Sequence, residues 1–194
     1  MVIQELWLIH RSQQGDTAAF ASLYERYYRT VFRTALYLVR DSGLAEDITQ
    51  EAFITAFKEI TRLRTPAAFR TWLYRLVVSR TTRALRTEGR PRSVSLDLLP
   101  ESQVPADLDP AKTVEDDEEV SILRTAIAEL PDDLRLTVLL HYFSGLRVAE
   151  VGQVLGIPAG TVKSRLYTAR CRLAAALNAG SYPRLTILVR EVTA

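Results

Sequence analysis

RVAEVGQVLGIPAGTVKSRLYTARCRLAAAL, residues 147–177, is the stretch from which the fold is read. Its apolar positions Ala149, Val151, Leu155, Ile157, Val162 and Leu166 fall at the spacings of a short helix, a tight turn at Gly156 and Pro158, and a longer helix. Small Ala149 is expected to permit close crossing of the two helices, Gly156 to supply the positive φ of the turn, and Ile157 to plug the angle between them. The order of these features is that of a helix-turn-helix. On a wheel, Val162, Leu166, Ala169, Leu173 and Leu177 form one stripe that must be buried. Lys163, Ser164, Tyr167, Thr168 and Cys171 then face the other way, with Arg165, Arg170 and Arg172 at the edges. Hydrogen-bonding and amphipathic side chains of this kind suit base edges in a major groove, and flanking arginines suit its phosphates. The alternative is a helical hairpin with a solvated basic face.

Upstream, a helix carrying Val120, Leu123, Ile127 and Leu130 is followed by Pro131, Asp132 and Asp133, which open a second helix, LRLTVLLHYF, ending near Gly145. Before these, Pro91 to Asp117 holds four of the eight prolines and no glycine, and the acidic run Glu115 to Glu119 overlaps its end. Such a stretch buries too little apolar surface to offset chain entropy. Residues 91–118 are therefore expected to be an acidic flexible linker between two small helical domains, residues 1–90 and 119–178. Residues 179–194 form a C-terminal extension to which no role is assigned. The expected fold class is all-α, with the helix-turn-helix in the C-terminal domain.

In the N-terminal half, Phe20, Leu23, Tyr24, Tyr27, Val31, Ala35 and Leu38 recur at helical spacing and predict a core helix. Asp41 and Ser42 can cap the next helix, and Gly43 is expected to mark the break before it. There Leu44, Ile48, Ala52, Phe53, Ala56, Phe57 and Ile60 cover an apolar arc, while Asp47, Gln50, Glu51, Ile54 and Lys58 share the opposite side. Ile54 among polar neighbours is either a lone surface residue or the centre of a docking surface. Thr65 followed by Pro66 is a good helix entry, and Phe69 and Trp72 read as core residues of the helix that follows.

The net charge of +2 conceals a segregation. Residues 61–92 hold nine arginines against Glu88, and residues 93–120 hold nine acids against Lys112. The basic block is either a nucleic-acid footprint or a solvated helix face. Cys171 is the sole cysteine, so no intramolecular disulfide can form and a reducing compartment fits. His10 and His141 lie far apart and read as structural or exposed, so neither a metal site nor a catalytic centre is expected. Asp47 and Glu51 are one turn apart, but no histidine, glycine-rich loop or nucleophile motif accompanies them. The apolar runs are too short to span a bilayer, so membrane insertion is not expected.

The segments SGLAEDITQEAF (42–53), FRTWLYRLVVSR (69–80) and ELPDDLRLTVLLHYFSGLRVAEVGQVLGIPAGTVKSRLYTARCRL (129–173), in this order and with an acidic linker between the last two, resemble a bacterial sigma factor of the extracytoplasmic-function group. The resemblance implies a cytoplasmic, non-enzymatic subunit, without cofactor, that binds core RNA polymerase and directs it to a two-part promoter. Asp47, Gln50, Glu51 and Ile54 match the motif that grips the coiled coil of the polymerase β′ subunit; the β subunit is a further implied contact. Residues 61–69 match the loop that captures an unpaired base of the minus-ten element, which implies minus-ten roles for Arg62, Arg64, Thr65, Arg70, Arg75, Arg80 and Arg83. Lys163, Ser164, Tyr167 and Thr168 match readers of the minus-thirty-five element, with Arg165 and Arg170 on phosphate. The acidic linker resembles the segment that threads past the polymerase active centre toward the RNA exit channel, and an anti-sigma factor is an implied partner. From the residues alone, a self-sufficient helix-turn-helix regulator reading an operator is the alternative.

Overall fold

The computed structural model describes residues 2–87 and 118–179. The expected linker and C-terminal extension, apart from Glu118 and Ala179, lie outside the described residues. Among the described residues there are eight α-helices and no strand, as the sparse turn residues and helical spacings predict.

The first helix, α1 (Val2–Gln13), is absent from the sequence reading. Its inward face mixes Ile9 with Glu5 and Ser12, so it shows no clean apolar stripe. The polar members are satisfied one by one. Tyr27 Oη donates to the Glu5 carboxylate at 2.5 Å, and Ser12 Oγ donates to the Leu8 carbonyl at 2.7 Å.

Helix α2 (Thr17–Val39) starts at Asp16, whose carboxylate accepts the Ala19 N–H at 3.1 Å, and buries Phe20, Leu23, Tyr27, Val31 and Ala35 as the periodicity requires. Tyr24 is instead 36% exposed, at the edge of the stripe, with its ring against Phe53. Helix α3 (Ser42–Glu59) is capped by Asp41, which accepts the Leu44 N–H at 2.9 Å. Gly43 therefore lies inside the first turn and does not mark a break. Ala45, Ala52 and Ala56 are fully buried and let α3 pack closely on α2. Phe57, expected in the buried arc, is 48% exposed, with its ring edge-on to Phe20 at 5.0 Å.

After a 3-10 turn at Ile60–Arg62, Thr65 and Pro66 open a second 3-10 turn, Pro66–Ala68, which runs into α4 (Phe69–Thr87). Phe69, Leu73, Tyr74 and Val77 anchor α4 in the core. Burying a side chain of this size stabilises by about 1.5–3 kcal/mol, so these positions fix where the preceding turns stand.

The second lobe comprises α5 (Glu118–Ala128), α6 (Asp132–Val138), α7 (Val148–Leu155) and α8 (Ala159–Ala179), with a π-helical turn, Leu139–Phe143, extending α6. Arg135 on α6 is buried and donates to the Ala128 carbonyl at 2.8 Å and the Leu130 carbonyl at 3.1 Å while pairing with Asp132. It thereby satisfies carbonyls at the end of α5 that have no helical partner. Burial pushes the Arg135 guanidinium below its usual value, with nearby Arg40 adding to the effect.

The helix-turn-helix forms as expected in most respects. Gly156 adopts φ 67°, and Ile157 is partly buried against the core. The expected stripe of α8 is fully inside, each member at most 5% exposed. Ala149 is exposed, however, and the close-approach residue is Gly152. The turn brings the Ile157 N–H onto the Gly152 carbonyl at 3.0 Å, and a Cβ on Gly152 would lie 2.8 Å from the Ile157 carbonyl oxygen.

The two lobes touch. Helix α4 packs on α7, and α2 meets the π-helical turn, so one buried cluster runs from Ile9 to Leu177. Thr34 and Ser144 place their hydroxyls 3.3 Å apart in this interface, and Arg40 donates to the Ala128 carbonyl.

Candidate nucleic-acid interface

The exposed face of α8 is built by its buried one. With Val162, Leu166 and Ala169 fixed inward, Lys163, Ser164, Tyr167, Thr168 and Cys171 all stand in solvent, and Tyr167 is 63% exposed. Thr168 Oγ1 donates to the Ser164 carbonyl at 3.0 Å, so its hydroxyl proton is used within the helix and its methyl and lone pairs stay exposed. The Arg170 guanidinium lies 5.9 Å from the centre of the Tyr167 ring. Arg165 is less free: it is partly buried, with Nε 3.4 Å from the Asp133 carboxylate. The preceding α7 is held by Glu150, which accepts the Arg147 backbone N–H at 2.7 Å and its guanidinium at 3.0 Å. These bonds hold the Glu150 carboxyl below its usual range.

The arginine-rich block divides into groups. Arg62, Arg64 and Thr65 are exposed on and after the first 3-10 turn, and Arg83 is exposed farther along α4. Arg70 and Arg75 turn toward the other lobe, donating to the carbonyls of Ser144 and, at 3.0 Å, Gln153. Arg80 reaches Thr55 and lies 3.6 Å from the Glu51 carboxylate, tying α4 to α3. The arrangement thus gathers Arg62, Arg64 and Thr65 at one place and separates Arg70, Arg75 and Arg80 from them by engaging each elsewhere.

On α3, Asp47, Gln50, Glu51 and Ile54 are all exposed on one side, with Ile54 52% exposed. Gln50 Nε2 donates to Glu46 at 2.9 Å. Phe57, one turn beyond Phe53 and three residues from Ile54, is exposed and not in the buried arc where its spacing places it, and it widens the apolar part of this surface. A second residue missed in the sequence is Gln13, whose side-chain amide donates to the carbonyls of Ile60 at 3.1 Å and Leu63 at 2.7 Å. No local pattern marks it, because its partners lie 47 and 50 residues away.

Among the described residues, no group of three or more His, Cys, Asp and Glu side chains could hold a metal ion, and no helix is long and apolar enough to cross a membrane. His141 is occupied structurally, its Nδ1 2.8 Å from the Leu146 carbonyl oxygen.

A two-lobed helical protein with an outward-facing helix-turn-helix and arginines at the far lobe's turn is a DNA-binding regulator of transcription by class. Residues 23–91 match the family model for Sigma-70 region 2, and residues 121–173 match that for Sigma-70, region 4. The RNA polymerase sigma-H factor of Pseudomonas aeruginosa is 33% identical over 175 residues, covering 86% of this chain and 90% of that protein. The ECF RNA polymerase sigma-E factor of Escherichia coli is 34% identical over 170 residues, covering 84% and 88%. The fold is shared with CnrH in its complex with the cytosolic domain of CnrY, with a TM-score of 0.66 at 20% identity over 91% of this chain and 98% of that one. It is shared as well with the sigma factor RpoE of Bartonella quintana bound to the anti-sigma factor NepR, with a TM-score of 0.64 at 20% identity over 82% and 96%. The chain belongs to the sigma-70 family, in its extracytoplasmic-function group.

Proposed function

We propose that this sigma factor directs core RNA polymerase to promoters through three surfaces with separate tasks. Asp47, Gln50, Glu51 and Ile54, extended by Phe57, dock the coiled coil of the β′ subunit, and the C-terminal lobe meets the β subunit. Arg62, Arg64 and Thr65 hold the loop that captures an unpaired minus-ten base, while Arg80 and Arg83, joined by Arg70 and Arg75 once the lobes part, hold the strand backbone. Lys163, Ser164, Tyr167 and Thr168 read the minus-thirty-five duplex, with Arg165 and Arg170 on phosphate. The linker 91–118, acidic on balance, passes through the polymerase toward the RNA exit channel, a path lined for nucleic acid. Bond making belongs to the polymerase, and the chain works where the polymerase does, in the cytoplasm.

The observation that carries this reading is the exposed row on α8 standing over a fully buried stripe, which leaves a recognition face with nothing in the described residues to cover it. A flipped base costs a few kcal/mol of unstacking, and aromatic stacking and cationic contacts to the strand offset it. An anti-sigma factor is proposed as a partner because the RpoE structure, which shares this fold, holds the anti-sigma factor NepR, and the CnrH structure holds the cytosolic domain of CnrY. A self-sufficient operator-binding regulator would leave the exposed α3 face without a use. Run-off transcription with purified core polymerase tests the proposal: transcripts from a cognate promoter should depend on this chain, and independence at every candidate promoter would refute it.

A further inference from the structure

Gln13 closes α1 in a manner that the rest of that helix does not explain. Its amide nitrogen has two protons, and both are spent on main-chain carbonyls of the segment that joins α3 to α4: Ile60, which begins the first 3-10 turn, and Leu63, which follows it. Leu63 N–H itself donates back to the Ile60 carbonyl at 3.1 Å, so one side chain and one backbone bond together fix both ends of the turn. Since both partners are acceptors, the amide can stand only one way round, nitrogen toward the turn. Arg62 lies inside this clamp, and Arg64 and Thr65 leave directly from it, all three exposed. Behind it, α1 is anchored by Ile9, by the Tyr27–Glu5 bond and by Arg26, 3.6 Å from Glu5.

From this geometry we infer that Gln13 is a positioning residue for base selection: it holds the turn at Ile60–Leu63 so that the adjoining loop presents a preformed pocket to the unpaired minus-ten base. The inference rests on the proposed capture of that base by residues 61–69. A loop held only by its ends samples many conformations, and a base must then order it on binding; a loop fixed beforehand loses less entropy and discriminates between bases of different shape. Gln13 never touches the base in this account.

The test uses the full chain assembled with core polymerase and a fluorescent fork-junction DNA carrying the promoter of the transcription assay, alongside the same DNA with each minus-ten base changed in turn. Gln13→Glu keeps the side chain's shape but sets a carboxylate against two carbonyl oxygens, and Gln13→Met removes both donors without adding charge. Each variant should lower the ratio of affinities between preferred and altered bases by about tenfold, the scale of two net hydrogen bonds, while affinity for core polymerase stays unchanged. An undiminished ratio, or equal weakening on all the DNAs as a purely structural defect would give, overturns the inference. Two variants guard against a folding failure in one. Arg64→Ala with Thr65→Ala, run in parallel, separates the levels. Loss of discrimination there but not at Gln13 removes the clamp and leaves base capture standing; no loss at either removes both.

Discussion

At Gly152 a single hydrogen atom is all the space allows. Alanine there would place its Cβ 2.8 Å from a backbone oxygen that belongs to the turn itself, so neither partner can move without opening the angle between α7 and α8. Gly152→Ala should destabilise the chain by about 1–3 kcal/mol, read as a lower midpoint in urea, in spite of alanine's better helix propensity. Glu150 offers a second residue-scale test. Its carboxyl is held below the ordinary 4.5 by Arg147, so the stability it confers is complete above about pH 4.5 and is lost as pH falls through the lowered value. Glu150→Gln should therefore cost about 0.5–1 kcal/mol at neutral pH, the scale of a helix cap, and the two proteins should converge in stability as pH falls through that lowered value.

Among elements, α8 carries the sharpest expectation. Tyr167→Ala should reduce discrimination between minus-thirty-five sequences by about 1–3 kcal/mol if the ring meets a base, whereas Arg170→Ala should weaken binding to all sequences and flatten its salt dependence. Because the Arg170 guanidinium rests near the Tyr167 ring, the double variant should lose less than the two single losses combined; competition binding with the full chain and core polymerase measures all three. This helix was also the most legible in sequence, since every member of its predicted stripe is buried, and a long amphipathic period leaves little room for another answer. Elements whose inward face is partly polar were not legible. Helix α1 hides Ser12 and half-buries Glu5, both satisfied by partners that a periodicity cannot see. Small residues misled in the turn, where Ala149 and Gly152 both suit a close crossing and only the path of the chain decides between them. The exposed α3 row was foreseen from its mixed composition, but the engagement of Arg70, Arg75 and Arg80 depends on tertiary packing that no spacing encodes.

For the molecule as a whole, contact between the lobes conflicts with the proposed simultaneous reading of two promoter elements. Elements named ten and thirty-five positions upstream are separated by about 85 Å of duplex at roughly 3.4 Å per base pair. A compact chain of this length has a radius of gyration of about 16 Å and does not reach that far. The residues between Thr87 and Glu118 can, spanning at most about 100 Å if fully extended. The promoter complex should therefore hold the lobes apart. In a Cys171→Ser background, Glu25→Cys on α2 and Glu129→Cys between α5 and α6, both exposed and outside the rows on α3 and α8, accept one dye on each lobe. Energy transfer between the dyes should fall on formation of the complex with core polymerase and promoter, and unchanged transfer would contradict a separated arrangement.

Arg70 and Arg75 rest on peptide oxygens, with no carboxylate supplying the acceptor in either bond. A neutral acceptor holds a guanidinium about half as strongly as an anionic one and cancels none of its charge. The folded-up chain thus shelves Arg75 without discharging it, so that an arriving phosphate needs to outbid only a dipole there, whereas Arg70 also feels the charge of Glu150.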